Sequence, residues 1–206
     1  MINLRRYFIM GSQDCPKNQS PESILQAAIR GGITAFQFRE KGVHALSGVK
    51  KIALGKELRQ LCKKNHIPFI VNDDVELVHE LQADGIHVGQ DDPSVSNLRK
   101  KFPHLIIGLS ISNFSELEKS KHVLPLINYI GAGPIYPTTS KSDAKQAVGL
   151  QWIRDLRNRH PQMPIVGIGG IQVNNAKDVI NAGADGIAVI SAITKASNIH
   201  AIVKQL

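Results

Sequence analysis

The chain has 206 residues, of which 42% are hydrophobic and 20% are charged, and its formal net charge is +8. This balance predicts one globular domain and excludes a disordered chain. No apolar run approaches the ~18 residues of a membrane span, and the first residues hold too short an apolar stretch for a secretory signal. We therefore expect a cytoplasmic protein without membrane contact, and the two cysteines, which have no metal or disulfide spacing, fit a reducing compartment.

The positive net charge predicts an anionic partner, with plain solubility as the alternative because the lysines are scattered evenly. Nucleic acid is the less expected anion. Aromatic residues make up only 5% of the chain, and no basic stripe is interleaved with them. We therefore expect an anionic partner other than nucleic acid.

Eight short runs along the chain have strand character, and amphipathic stretches separate them. The predicted strands are 6–11, 35–40, 68–73, 85–89, 106–111, 128–133, 164–170 and 186–193. The predicted helices include 21–32, 54–65, 75–83, 150–160 and 174–183. Pro21 in a first turn and glycines after the last turns support several of these helix ends.

Repeated strand–helix units predict a parallel sheet with right-handed crossovers. Eight units in about 200 residues predict an α/β fold of the (β/α)8 TIM-barrel type, with residues 1–206 as a single compact domain. The ADGIHV motif at 83–88 is echoed by ADGIAV at 184–189, which places strands 4 and 8 at equivalent positions of two half-barrels. A doubly wound open sheet is the rival, but the chain has no GxGxxG motif.

In a barrel of this type, functional residues follow the carboxyl ends of the strands. The second strand continues as Gln37-Phe38-Arg39-Glu40-Lys41, and its alternation turns the Phe face to the helices and the polar face inward. Two cations in a barrel mouth are costly without a partner. An anionic ligand such as a phosphate is therefore the favoured interpretation, and an ion pair with Asp73 is the alternative.

Two pairs of carboxylates follow the third and fourth predicted strands, at Asp73-Asp74 and Asp91-Asp92. Oxygen donors next to a phosphate site suit Mg²⁺. We assign Asp73 and Asp92 to the metal and leave Asp74 and Asp91 to helix capping, although spacing alone leaves the choice within each pair open. His87 is predicted to be a packed or supporting residue rather than a ligand.

Small residues follow the remaining strands. Ser110 ends the fifth strand, Gly167-Ile168-Gly169-Gly170 ends the seventh, and Ser191 follows the eighth. The loops after strands 7 and 8 are a recurrent phosphate site in barrels. Together with the cations after strand 2, this predicts two anion-binding ends in one mouth.

The segment 134–148 follows the sixth predicted strand and has no helical or strand period between Pro137 and Gln146. Long irregular segments in a compact domain are usually functional or disordered. Its position at the mouth predicts an active-site lid that orders over bound ligands and excludes water.

The whole chain resembles the thiamine phosphate synthase family. The motifs that carry the resemblance are QFREK (37–41), VNDD (71–74), DGIHVGQDD (84–92), GLS (108–110), GPIYPTTSK (133–141), GIGGI (167–171) and GADGIAVISAI (183–193). The resemblance implies a (β/α)8 transferase that uses Mg²⁺. Such an enzyme joins hydroxymethylpyrimidine diphosphate to thiazole ethyl phosphate, or its carboxylated form, and releases diphosphate as thiamine phosphate forms.

The resemblance also implies a role for individual residues. The pyrimidine diphosphate would be bound by Gln37, Phe38, Arg39, Glu40, Lys41, Asn72, Ser110 and Lys141. The thiazole phosphate would be bound by Thr138, Thr139, Ser140, Gly170, Ile190 and Ser191. Arg39, Lys41 and Lys141 would be the catalytic cations, and Asp73 and Asp92 would bind Mg²⁺.

The implied reaction is a dissociative substitution in which diphosphate leaves from a carbocation-like pyrimidine methylene and no protein nucleophile is needed. The partners would be two phosphorylated small molecules, and a homo-oligomer is compatible with the sequence. A thiazole tautomerase and a non-catalytic barrel that binds a phosphorylated metabolite are the alternatives, and a nucleic-acid binder is a more remote one.

Overall fold

Eight parallel strands close into a barrel in the computed structural model, which describes residues 2–140 and 145–206. Each strand pairs with its neighbours in chain order, and β8 pairs with β1, so that Tyr7 lies beside Ala188. The strands are β1 (Arg6–Met10), β2 (Ala35–Phe38), β3 (Phe69–Asn72), β4 (Gly85–Val88), β5 (Ile106–Ile111), β6 (Tyr129–Ala132), β7 (Ile165–Ile168) and β8 (Gly186–Val189). The predicted TIM barrel is confirmed, and the open-sheet rival is wrong.

Helices follow the strands and cover the outside of the barrel. They are α1 (Pro21–Gly31), α2 (Gly48–Lys64), α3 (Val75–Glu80), α4 (Val95–Lys101), α5 (Phe114–Ser120), α6 (Gly149–Arg159), α7 (Val173–Asn181), α8 (Ser191–Thr194) and α9 (Ile199–Gln205). The Ser20 side chain caps α1, Pro21 opens it and Gly32 closes it in a left-handed conformation, as the sequence pattern predicted. In the described part of the chain, no helix is long and apolar enough to cross a membrane.

Several predicted boundaries differ from the structure by one to three residues, and two differ by more. Helix α2 begins at Gly48, six residues before the predicted start, because its first turn exposes its apolar residue: Val49 is 83% exposed. Burial, and with it the periodic signal, begins only at Leu54. Strand β8 ends at Val189, and residues 191–194 form α8, because a short apolar run looks the same in a buried strand and a buried helix.

The alternation of side chains along the strands separates two apolar layers. Tyr7 and Ile9 belong to a cluster inside the barrel, whereas Phe8 and Met10 belong to the larger cluster between the strands and the helices. The same rule turns Phe36 and Phe38 outward and Gln37 inward. The prediction that the Phe face of β2 packs against helices is therefore confirmed.

The echo of the ADG motif has a structural cause at the amino-terminal end of the barrel. Asp84 and Asp185 stand directly before β4 and β8, and each accepts the first backbone N–H of the preceding strand, from Phe69 at 2.8 Å and from Ile165 at 2.7 Å. Asn128, directly before β6, similarly accepts from Ile107 N–H, the second residue of β5, at 2.8 Å. An arginine on the helix that precedes the earlier strand donates to the same Asp or Asn side chain and completes the clamp. The three arginines are Arg59 on α2, Arg99 on α4 and Arg157 on α6.

We predict that Asp185→Ala lowers the free energy of unfolding by about 1–3 kcal/mol, because the Ile165 N–H and the Arg157 guanidinium each lose an acceptor. Urea denaturation measures the change. Glu118→Ala is the matched control, since its ion pair with Lys121 is more than half exposed on both sides and should change stability by less than about 1 kcal/mol. An equal loss of unfolding free energy in the two variants would contradict a stabilising role for the Asp185 clamp.

Candidate active site

A cavity of about 320 Å³ opens where the carboxyl ends of the strands meet. Its walls come from the segments that follow β2 to β8, so residues far apart in the chain share one space. Most of the predicted site residues line it. They are Arg39, Lys41, Asn72, Asp73, Asp92, Ser110, Thr138, Ser140, Gly170, Ile190 and Ser191.

Four predicted residues lie elsewhere. Phe38 is fully buried between the barrel and the helices, where its ring stacks on Phe69. The Glu40 carboxylate accepts from the backbone N–H groups of Ser12 and Leu46, so its side chain anchors two loops. Thr139 is exposed and outside the cavity lining. Gln37 is 1% exposed and lies in the barrel interior, where it lines a small void below the cavity. The void and the cavity floor have several lining residues in common.

Lys141 lies outside the described residues, and so do three further residues of the segment 134–148. Its predicted contacts, and the prediction that 134–148 is a lid, therefore stay predictions. One described end of this segment is attached to β7, since Ile135 N–H donates to Ile168 O at 2.8 Å. The two ends are also joined to each other, since Val148 N–H donates to Pro134 O at 2.8 Å.

The cations after β2 differ in their surroundings. The Arg39 side chain is 5% exposed, and its backbone is fixed to the end of β1, because Arg39 N–H donates to Met10 O at 3.0 Å and Arg39 O accepts from Gln13 at 2.8 Å. The Lys41 ammonium is about half exposed and donates to Asp73 Oδ2 at 2.8 Å. For Lys41, the ion pair that the sequence left as the alternative is therefore present.

Asp73 and Asp92 approach each other across the mouth. Asp73 has a φ of +58°, a conformation that is rare for residues other than Gly and that clusters at functional sites. Asp92 Oδ2 accepts from Gly89 N–H at 2.7 Å. Desolvation, followed by the neighbouring Asp73 carboxylate, raises the pKa of Asp92 above its ordinary value. The two carboxylates therefore repel each other in the free protein, and Lys41 partly relieves the repulsion.

The other member of each pair has a different position. Asp74 caps α3 by accepting from Glu76 N–H and Leu77 N–H, and it pairs with Lys51 at 2.8 Å. This capping prediction is confirmed. The capping prediction for Asp91 is wrong: Ser94 holds the cap position of α4 without a side-chain hydrogen bond, and Asp91 lies at the edge of the cavity.

The donor set fits a magnesium ion that takes part of its shell from elsewhere. Within residues 2–140 and 145–206, no group of three or more His, Cys, Asp or Glu side chains could hold a metal ion. Mg²⁺, however, is commonly bound by one or two carboxylates together with water and substrate phosphates. Two repelling carboxylates with Lys41 beside them are the kind of site that a divalent cation would stabilise.

The opposite side of the cavity is formed by backbone and hydroxyl groups. Gly169 and Gly170 have φ values of +99° and +62°, and a Cβ on Gly170 would lie 2.5 Å from Pro137 O. Glycine is thus required where the loop after β7 meets the loop after β6. Ser140 Oγ lies 3.1 Å from Ser191 Oγ, which joins the latter loop to the end of β8. The arrangement is neutral, small and rich in donors, as a phosphate site requires.

Sequence reasoning missed Lys145, which lines the cavity and pairs with Glu116. Glu116 in turn accepts from Ser112 N–H at 2.7 Å, so this lysine is attached to the end of β5. The sequence offered no signal that separates Lys145 from the other lysines of the irregular segment. Gln90 was also missed, and its side-chain amide donates to Ser110 O at 2.8 Å.

His87 lies nearer to the candidate active site than the sequence indicated. It lines the cavity, and its ring nitrogens lie 3.0 Å from Tyr129 Oη and 2.8 Å from Ser110 Oγ. The prediction that it supports other residues agrees with these contacts. Its partner Tyr129, on β6, carried no signal in the sequence apart from being apolar.

A closed barrel with a charged cavity at the carboxyl ends of its strands has the architecture of a TIM-barrel enzyme. A family model described as thiamine monophosphate synthase matches residues 6–193. The chain therefore belongs to the thiamine monophosphate synthase family.

Individual relatives agree with this membership. The chain is 54% identical over 203 residues to a thiamine-phosphate synthase of Oceanobacillus iheyensis, a match that covers 98% of this chain and 97% of that protein. Among solved structures, a thiamine phosphate pyrophosphorylase from Pyrococcus furiosus has a TM-score of 0.84 at 30% identity, covering 100% of this chain and 94% of that one. A pyrophosphorylase of the same name from Bacteroides thetaiotaomicron has a TM-score of 0.65 at 16% identity, covering 98% and 95%, and supports the fold alone.

We predict that Asp92→Asn stabilises the ligand-free protein at pH 7. Because the folded-state pKa of Asp92 is raised, its carboxyl loses the proton at a lower pH in the unfolded chain than in the folded protein. The free energy of unfolding therefore falls as pH rises from the unfolded-state pKa through the folded-state pKa. The amide keeps an acceptor for Gly89 N–H but removes the charge. Melting temperatures from pH 3 to pH 8 measure the effect, and the gain should vanish below about pH 4, where the unfolded carboxyl is protonated. A gain that is constant with pH would contradict the repulsion.

Proposed function

We propose that this protein is a Mg²⁺-dependent thiamine phosphate synthase. It joins hydroxymethylpyrimidine diphosphate to thiazole ethyl phosphate, or its carboxylated form, and releases diphosphate. The observation that carries the proposal is the convergence of Arg39, Lys41, Asp73 and Asp92 in one cavity, in a chain that is 54% identical to a thiamine-phosphate synthase. Cations and metal-binding carboxylates together suit a diphosphate leaving group.

The main task of the site is to stabilise charge on the departing diphosphate. The Arg39 side chain is buried and can bind two phosphate oxygens at once, and Lys41 supplies a point charge beside it. Pre-positioned cations of this kind cost no reorganisation when the bond breaks. Asp73 and Asp92 would hold Mg²⁺, which neutralises diphosphate charge when bound. Lys141 is proposed as a further cation on sequence grounds.

The position of Gln37 supports a pyrimidine site at the cavity floor. Its Oε1 atom is buried without a hydrogen-bond partner among the described residues. The void beside it measures only about 10 Å³, which is the space of one water, but it shares Gly131, Ile168 and Ala188 with the main cavity. An aminopyrimidine reaching this floor could donate its amine to Gln37. We therefore assign Gln37 to the ring rather than to the diphosphate.

The hydroxyl and glycine side of the cavity suits the second substrate. The N–H groups near Gly170 and Ser191, with the Ser140 and Thr138 hydroxyls, would hold the thiazole phosphate and so bring the thiazole nitrogen to the methylene carbon. Holding both reactants in one cavity converts a bimolecular reaction into a nearly unimolecular one. Phe38, Glu40 and Thr139 have side chains outside the cavity, so any part they play would be through the backbone or through loop anchoring.

The decisive assay mixes both substrates with Mg²⁺ and follows the release of diphosphate and the formation of thiamine phosphate. Chelation of the metal should stop the reaction, and added Mg²⁺ should restore it. Absence of diphosphate release would overturn the proposal. Isomerisation of a thiazole substrate alone, without metal, would identify a tautomerase instead, and ligand binding without turnover would identify a sensor. The predicted cytoplasmic location and homo-oligomeric state stay predictions.

We predict that Asp92→Ala and Lys141→Ala each lower turnover by about 10²–10³-fold, because each removes a group that acts on the leaving diphosphate. Steady-state kinetics measures the loss, and melting curves should show that both variants remain folded. Glu118→Ala, whose side chain lies outside the cavity lining, is the control and should keep normal turnover. Near-normal turnover of either cavity variant would contradict its assignment.

A further inference from the structure

A chain of hydrogen bonds crosses the interior of the barrel and ends at the cavity. The Gln37 side-chain amide donates to Tyr7 Oη at 2.8 Å, Tyr7 Oη lies 2.9 Å from Tyr129 Oη, and Tyr129 Oη lies 3.0 Å from His87 Nδ1. The other ring nitrogen, Nε2, lies 2.8 Å from Ser110 Oγ. Five strands, β1, β2, β4, β5 and β6, contribute one residue each.

The backbone is shaped to admit these side chains. A Cβ on Gly108 would lie 2.1 Å from Tyr129 Cζ and 2.5 Å from His87 Nδ1. A Cβ on Gly131 would lie 2.9 Å from His87 Cε1. The two rings stack with centroids 5.5 Å apart in the space that the missing side chains leave. Glycine at both positions therefore makes room for the pair.

Each hydroxyl has one hydrogen, so the orientation of Gln37 sets the direction of the whole chain. Tyr7 accepts from Gln37 and must donate to Tyr129, and Tyr129 must then donate to His87 Nδ1. Burial raises the pKa of both phenols, so each keeps the proton that it donates. A neutral imidazole that accepts at Nδ1 carries its hydrogen on Nε2, from which it donates to Ser110 Oγ.

We propose that Tyr129 and His87 are positioning residues that turn the Ser110 hydroxyl hydrogen into the cavity. Ser110 then serves as a dedicated donor to an anionic ligand, which is the useful direction because phosphate oxygens only accept. The functional use of this donor rests on the proposed diphosphate substrate. The direction of donation along the hydrogen-bond chain, however, is a property of the ligand-free protein. If Gln37 were turned over, every bond in the chain would reverse, and Ser110 would present only lone pairs to the anion.

The first experiment determines the tautomer of His87 in the ligand-free wild-type protein. Nitrogen NMR of protein with ¹⁵N-labelled histidine, recorded at alkaline pH where the imidazole is neutral, distinguishes the two ring nitrogens. The chain has eight histidines, and the His87→Gln variant assigns the relevant signals by their loss. The expected result is a hydrogen on Nε2, and a hydrogen on Nδ1 would overturn the proposal whether or not the protein is a synthase.

The second experiment uses inorganic diphosphate with Mg²⁺ as the probe, measured by calorimetry in a double-mutant cycle. Tyr129→Phe removes the donor that fixes the His87 tautomer, so only part of the population leaves the Ser110 hydrogen free for the anion. Binding should weaken about two- to fivefold when Ser110 is present and should not change in a Ser110→Ala background. Tyr129→Phe should also give His87 a mixture of both tautomers.

The two experiments separate the inference from the proposed function. An equal loss of binding in both Ser110 backgrounds would mean that Tyr129 acts through packing and would overturn the positioning role. Failure of the wild-type protein to bind diphosphate would count against the proposed synthase, while the histidine tautomer would still decide the direction of the chain. Melting curves of Tyr129→Phe establish that the variant is folded.

Discussion

The pairing of β8 with β1 is the interaction on which the rest of the structure depends. Hydrogen bonds between these strands close the sheet, with Arg6 beside Ile187 and Phe8 beside Val189. Closure removes both edges of the sheet and sets all eight carboxyl ends around one opening. Arg39 and Ser191 are more than 150 positions apart in the chain, yet they line the same cavity for this reason.

The two ends of the barrel illustrate a division between stability and function. At the amino-terminal end, Asp84 and Asp185 have arginine partners and accept strand N–H groups, so their charges are satisfied. At the opposite end, Asp73 and Asp92 face each other, and desolvation with mutual repulsion raises the pKa of Asp92. Groups arranged in this costly way are typical of functional sites, where a ligand later relieves the cost.

The interior of the barrel combines packing with polarity. Tyr7 and Tyr129 are fully buried members of the inner apolar cluster, yet their hydroxyls connect Gln37 to His87. A buried network of this kind holds its members in one arrangement because each unsatisfied polar group would be costly. The small void beside Gln37 lies where this network meets the cavity floor, which is why we place the pyrimidine ring there.

Much of the fold could be predicted from the sequence, because strand alternation and helix periodicity are local consequences of burial. All eight strands, the inward polar face of β2 and the capping role of Asp74 are read from neighbouring residues. The start of α2 and the end of β8 could not be placed, because Val49 is exposed within a helix and the run after Val189 suits either structure.

Within the site, the sequence determined which residue types follow the end of each strand. It did not determine how far these residues lie from one another. Phe38 and Glu40 belong to the same motif as Arg39, but the alternation of the strand and the loop anchors turn their side chains away from the cavity. Lys145 and Tyr129 carry no sequence signal, because Lys145 is held at the cavity by its ion pair with Glu116 and Tyr129 meets His87 inside the barrel. Closure of the sheet brings such residues together, and no periodicity in the sequence indicates which distant residues will meet.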